Sequence, residues 1–277
     1  MFFENLITFG KKITNTFMPS VFSEVPIFIL SIVIFFLILL FNWAGFKFKK
    51  WQLEKYPGMV PEDLGSVEGS MLGAMALLLG FTFSIAISKF ETRRQITVDE
   101  SNEISTALLR CDMYPDSVRN PLRADFKEYI ETRIAYYNVG SDEEKINQQL
   151  KKAAEISDRI WKRVALQAQN RDNVAITAQM IPAVNDMIDI VTTRDASRIS
   201  RVPKLVLFVL LGLVLISSFV LGSDYNGKKR NKILIFSYAL AMTLTLDLIT
   251  ELDRPREGLI NLNAIEQKMI GLRELVK

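Results

Sequence analysis

The sequence predicts an all-α integral membrane protein with four transmembrane helices and a long helical insert between the second and the third. Three observations carry that prediction. Four blocks are apolar for close to the ~20 residues a helix needs to cross a ~30 Å hydrocarbon core. The polar middle of the chain repeats apolar residues at three-to-four spacing and never alternates like a strand. The composition also argues against catalysis, because the 277 residues include no histidine and a single cysteine, Cys111.

Those two absences prune the chemistry. Without histidine the commonest general base and metal ligand is missing. A lone cysteine excludes an intrachain disulfide and a Cys cluster for zinc or iron–sulfur. No Walker loop, GxGxxG or GxSxG occurs. A formal net charge of +3 is too small to argue for a nucleic-acid partner. The reading is therefore a non-enzyme that needs no cofactor and has the lipid bilayer as its first partner.

The elements follow in order. Residues 1–25 form an N-terminal segment, and residues 26–88 hold the first two spans. The first, "PIFILSIVIFFLILLFNWAGF" (Pro26 to Phe46), is too long for a signal peptide and lacks a small-residue cleavage site, so it is read as retained. The second runs from Ser70 to Ser88. Residues 89–203 form the helical insert, residues 204–250 the third span (Lys204 to Gly222) and the fourth (Lys232 to Thr250), and residues 251–277 a tail. Four spans place both termini and the insert on one side. Basic residues near the membrane are nearly balanced between the two sides, so counting them does not orient the chain.

Within the insert, helix continues from Glu91 to about Arg110, and Pro115 supplies a stop. The next helix carries Leu122, Phe126, Ile130, Ile134 and Tyr137 on one face. "VGSDEE" reads as a turn with a capping box, Ser141 as N-cap and Glu144 at the third helical position. The helix after it places Ile146, Leu150, Ala153, Ile156, Ile160 and Val164 on one face. A last one, Asn173 to about Ser200, shows Val174, Ile181, Val184, Ile188 and Val191.

The second span enters the insert without a break, which predicts one helix from about Ser70 to Arg110, roughly 60 Å long. Gly73, Leu77, Gly80, Phe81, Ser84 and Ser88 share a narrow stripe of it, which continues to Glu91, Gln95, Asn102 and Arg110. Small residues in such a stripe suit close helix packing. They equally suit a pore wall formed by several copies, with Leu77 and Phe81 as a hydrophobic constriction and Ser84 and Ser88 lining a wetter stretch. Periodicity leaves both open.

Charges gather beside the spans: Lys89, Glu91, Arg93 and Arg94 after the second, and Asp247, Glu251 and Asp253 at the end of the fourth. An ionisable residue within a span is a functional candidate. The plainer reading pairs Asp247 or Glu251 with Arg93 or Arg94. Lys89 or Arg93 facing an ion path would favour anions and Glu91 cations, and a helix rotation of ~100° exchanges them.

"LLLGFTFSIAISKFETRRQITVDESNEISTALLR", taken with "ELDRPREGLI" after the fourth span, resembles the bestrophin-like family of bacterial membrane proteins, and through it the bestrophin anion channels. The elements that carry the likeness are Leu79-Gly80-Phe81, Lys89-Phe90-Glu91-Thr92-Arg93, and Glu251, Asp253, Pro255 and Gly258. The resemblance implies a homo-oligomer, a pentamer, whose second spans surround a pore for inorganic ions, anions such as chloride before cations. It implies a multi-pass protein of the cell inner (plasma) membrane, with the insert and both termini cytoplasmic. The constriction carried over is Phe81, Leu77 and Gly73, where Gly73 departs from the bulky residue expected. The acidic run of a Ca²⁺ clasp is not evident, and no metal is expected. Two other classes fit a four-span protein: a non-conducting scaffold or sensor that binds partners through its insert, and a proton-driven stator-type energy-coupling subunit.

Overall fold

The computed structural model describes residues 25–56, 65–224, 230–254, 260 and 263–276. Eight α-helices occur among them: α1 (Ile27–Lys55), α2 (Gly65–Cys111), α3 (Asp116–Asn138), α4 (Glu143–Gln167), α5 (Val174–Ile199), α6 (Lys204–Ser223), α7 (Lys232–Asp253) and α8 (Asn263–Gly271), followed by a 3₁₀ turn (Leu272–Val276). Four helical stretches among the described residues are long and apolar enough to cross a membrane. Residues 1–24 of the N-terminal segment lie outside the described residues, as do Pro255 and Gly258 of the post-span motif. The chain divides into two compact units, residues 1–87 with 202–253 and residues 88–201 with 254–277.

In the first unit α1 packs along α6 and α7. The α1–α6 approach is close because two glycines face backbone. A Cβ on Gly45 would stand 2.0 Å from the Phe219 carbonyl oxygen, and one on Gly222 2.0 Å from that of Asn42. Polar bonds flank this contact. Asn42 Nδ2 donates to the Ser218 carbonyl at 3.0 Å, and Ser218 Oγ to the Ile38 carbonyl at 2.7 Å. Arg230 donates to Asn42 Oδ1 and lies 4.6 Å from the centre of the Phe46 ring. Within hydrocarbon every polar group needs such a partner.

The second unit has its own core. Leu122, Phe126, Ile130, Ile134 and Tyr137 of α3 are buried, as are Ile146, Ala153, Ile156, Ile160 and Val164 of α4. The C-terminal segment closes the core, with Met269 and Leu272 buried and Arg273 gripping both carboxylate oxygens of Glu131 at 2.7 and 2.6 Å.

Two details differ from the sequence reading. The N-cap of α4 is Asp142, not Ser141. Gly140 takes a positive φ of 69°, and Asp142 Oδ1 then accepts the Lys145 amide at 3.2 Å, so the cap falls one residue later. On α5 the buried face is Thr177, Met180, Ala183, Val184, Met187 and Arg194, while Val174 is exposed. Val184 of the expected stripe is on that face, and Ile181, Ile188 and Val191 pack partly buried against the same core, so Val174 alone departs from the expected stripe.

Candidate functional site

Helix α2 has 47 residues and is continuous from the apolar span into the second unit; at 1.5 Å per residue it is ~70 Å long. Its two sides differ throughout. A buried seam runs at three-to-four spacing through Met75, Leu79, Thr82 and Ala86, then Arg93, Thr97, Glu100, Ile104, Ala107, Leu108 and Cys111. The other side is open: Gly73, Leu77, Phe81, Ser84, Ser88, Glu91, Gln95 and Asn102 are all exposed, Leu77 at 59% and Phe81 at 58%. The stripe read from the sequence is therefore the unoccupied face of the helix. Of Leu79-Gly80-Phe81, Leu79 belongs to the seam, and Gly80 and Phe81 to the open face. A Cβ on Gly73 or Gly80 would meet nothing within 4 Å.

That open face is unlike those of the other spans. Exposed α1 residues include Phe28, Ile32, Phe36 and Leu40, and exposed α7 residues include Ile233, Leu234, Leu240 and Leu244. Those are large hydrocarbon surfaces suited to lipid. On α2 large apolar side chains are exposed as well, Leu78, Ile85 and Ile87, but the stripe beside them passes from glycine and two bulky apolar residues to two serines, then to charge.

At the charged end the side chains are engaged one by one. Lys89 Nζ donates to Ser200 Oγ at 2.7 Å. Arg93, buried, donates from Nε to the Ser197 carbonyl at 3.2 Å and from Nη2 to the Ser200 carbonyl at 2.8 Å, which places a cation on the last carbonyls of α5, the negative end of that helix. Glu91 pairs with Arg94 at 3.3 Å on the open face, an exposed i,i+3 ion pair of small energetic value. Gln95 donates to Asp99 at 2.8 Å.

The acidic candidates of α7 belong to the first unit. Asp247 Oδ1 accepts from Ser31 Oγ of α1 at 2.6 Å. Asp253 is buried and accepts the Val202 amide at 2.8 Å, which ties the entry of α6 to the end of α7. Glu251 is half-buried. Among the described residues no three His, Cys, Asp or Glu side chains come together as a metal site.

Sequence reasoning missed one constellation, the fully buried Glu100 with Arg133 of α3 and Arg194 of α5. Arg133 Nε donates to Glu100 Oε1, while Oε2 accepts from Arg194 Nη1 and, at 3.0 Å, from Tyr137 Oη. The Tyr136 ring lies 4.5 Å from the Arg133 guanidinium, and the Tyr137 ring 3.9 Å from that of Arg194. Burial alone would raise the Glu100 carboxyl; the Arg133 and Arg194 charges outweigh it and hold the carboxyl below its ordinary range. Burial lowers Arg194, and Glu100 only partly offsets it, whereas the same carboxylate more than offsets burial at Arg133. A signal was present in the sequence: Glu100 falls in the register of Thr97 and Ile104, so a charge stood on an otherwise buried seam. Nearby, burial, with Asp186 and Asp99 adding to it, raises the Glu103 carboxyl.

A family model described as the Bestrophin-like domain matches residues 64–264. Among solved structures, the chain is similar to a bacterial bestrophin homolog from Klebsiella pneumoniae at a TM-score of 0.69 and 13% identity, with 88% of this chain and 98% of that one covered. A variant of that homolog matches at a TM-score of 0.67 and 14% identity over the same shares. Another matches at 0.65 and 13%, covering 91% of this chain and 99% of that one. No curated protein matches the chain.

Proposed function

The chain belongs to the bestrophin-like family, and from that premise we propose that it is an oligomeric ion channel, a pentamer, whose α2 helices surround the path. The single observation that carries this reading is the open face of α2, which stays exposed from Gly73 to Asn102 while its other side is buried over the same length. A lone span in lipid has no use for glycine, two serines and then charge along its uncovered side. A helix that turns that side to a shared axis has one. Leu77 and Phe81, four residues and about one turn apart, form the hydrophobic neck that can gate by dewetting, with Gly73 leaving a wider mouth beside them. Ser84 and Ser88 line the wetter stretch beyond.

Lys89, Glu91 and Arg94 then border the vestibule. Arg93, by contrast, serves to hold the end of α5, Asp253 to hold α6 against α7, and Asp247 to join α1 and α7. Glu251 stands at the inner end of the fourth span. The reading takes the path as anion-preferring, and the second unit with both termini as cytoplasmic. A multi-pass protein of the cell inner membrane follows from it.

Reconstitution tests the proposal. Purified protein, sized in detergent by mass measurement, is placed in liposomes loaded with KCl, and chloride and potassium efflux are followed. A pentamer that releases ions is the expected result. An intact oligomer that releases neither ion rejects the channel in favour of the scaffold.

A further inference from the structure

We propose that the buried Glu100–Arg133–Arg194 trio, through positive charge that its one carboxylate leaves uncancelled, determines the anion preference of the path; this rests on the channel reading above. One carboxylate faces two guanidiniums. Glu100 and Arg133 are 0% exposed and Arg194 is 6% exposed, and arginine stays protonated in proteins. The other side chains set against the two guanidiniums are tyrosines, Tyr129, Tyr136 and Tyr137. Arg133 gives only its Nε to Glu100, and its Nη1 and Nη2 have no hydrogen-bond partner. The trio thus carries a net positive charge into the interior, a costly arrangement that packing alone does not call for.

Its position relates that charge to the ion path. Glu91 and Glu100 are nine residues apart, two and a half turns, so they project from opposite sides of α2. The trio lies behind the open face by about one helix diameter, ~10–12 Å. The exposed groups cannot supply an anion preference themselves. On and beside the open face Glu91, Asp99 and Glu103 stand against Lys89, Arg94 and Arg110, and Glu91 is already paired with Arg94. Surface charge alone gives a balanced wall, which favours neither sign. The buried charge is positive, is shielded less by salt than an exposed pair, and recurs once in each subunit as a ring. Surface charge alone thus predicts little selectivity, and the buried charge predicts a preference for anions.

Reversal potentials under a KCl gradient in planar bilayers separate them, with wild type beside Arg194→Gln, Arg133→Gln and Arg194→Lys. Either Gln variant leaves one arginine on Glu100 and makes the trio neutral, so two independent routes reach the same charge. Size-exclusion chromatography selects the variants that assemble. Wild type is expected to favour chloride. The chloride-to-potassium permeability ratio should fall by roughly threefold or more in either Gln variant and be retained in Arg194→Lys, which keeps charge while changing shape. An unchanged ratio in an assembled Gln variant, an equal loss in Arg194→Lys, or a wild type that prefers potassium overturns the assignment. A silent wild-type oligomer rejects the channel itself, and this inference falls with it.

Discussion

The carbonyl oxygen of Asn42 lies 2.0 Å from the point where a Cβ on Gly222 would stand, and the Phe219 carbonyl stands in the same relation to Gly45. The two residue pairs share one spacing, so α1 and α6 meet as two glycine notches against two backbone carbonyls. Neither carbonyl can yield without moving its helix. Gly222→Ala or Gly45→Ala should therefore destabilise the protein by about 1–3 kcal/mol, the usual cost of overpacking. Thermal unfolding in detergent reads this out. Gly212→Ala, on the same helix with nothing within 4 Å of its Cβ, should leave the midpoint unchanged or slightly raised.

Removing the carboxylate of the buried trio leaves two guanidiniums without a counter-charge. Glu100→Gln should cost about 3–5 kcal/mol, and Arg194→Gln, which leaves the Arg133–Glu100 pair intact, distinctly less. The folded state holds Glu100 below its ordinary range, so its contribution is present at neutral pH. It is lost as pH falls through the depressed folded value. Acid unfolding of wild type below the ordinary carboxyl range should be steeper than that of Arg194→Gln.

Glu103 titrates in the opposite sense. Burial, then Asp186 and Asp99, raise its folded-state value, with Arg110 opposing. The folded chain then binds this proton more tightly than the unfolded chain, and stability falls as pH rises through the raised value. Glu103→Gln should raise the unfolding midpoint at pH 7–8, and the advantage should shrink as pH falls through the raised value and vanish below the ordinary glutamate range. An advantage that is constant with pH would show that ionisation at Glu103 is not the cause.

Asp247 separates the channel from a proton-coupled stator. An asparagine retains an oxygen that accepts from Ser31 Oγ, so Asp247→Asn should assemble and conduct. Loss of function in an intact Asp247→Asn oligomer would instead mark the carboxyl as a coupling acid.

Much of this architecture is legible in local sequence. The four spans follow from runs of apolar residues, and the open face of α2 follows from spacing, since glycine, serine and charge recur with the helical period. What local sequence hides is which charges are solvated. Glu100 sits among Asp99 and Glu103, so it looks like one more surface acid, and its partners are 33 and 94 residues away on other helices. Arg93 reads as a vestibule cation for the same reason, although it binds the carbonyls ending α5. The α4 cap slipped by one residue because Ser141 and Asp142 both suit the motif; the left-handed turn at Gly140 decides between them. On α5 the apolar pattern finds the packed face from Ile181 to Val191 but places Val174 on it, which is exposed, and passes over Arg194, whose burial depends on a partner far away in sequence.

The central claim is that the open face of α2 lines the path, with its neck at Leu77 and Phe81. Single-channel current in planar bilayers, wild type beside Phe81→Ala and Leu77→Ala, tests it most directly. Widening a hydrophobic neck should raise open conductance or leak in both variants while the subunit number stays the same. Unit conductance and open probability equal to wild type in both, from oligomers of unchanged mass, would contradict it and return this face of α2 to the role of a packing seam.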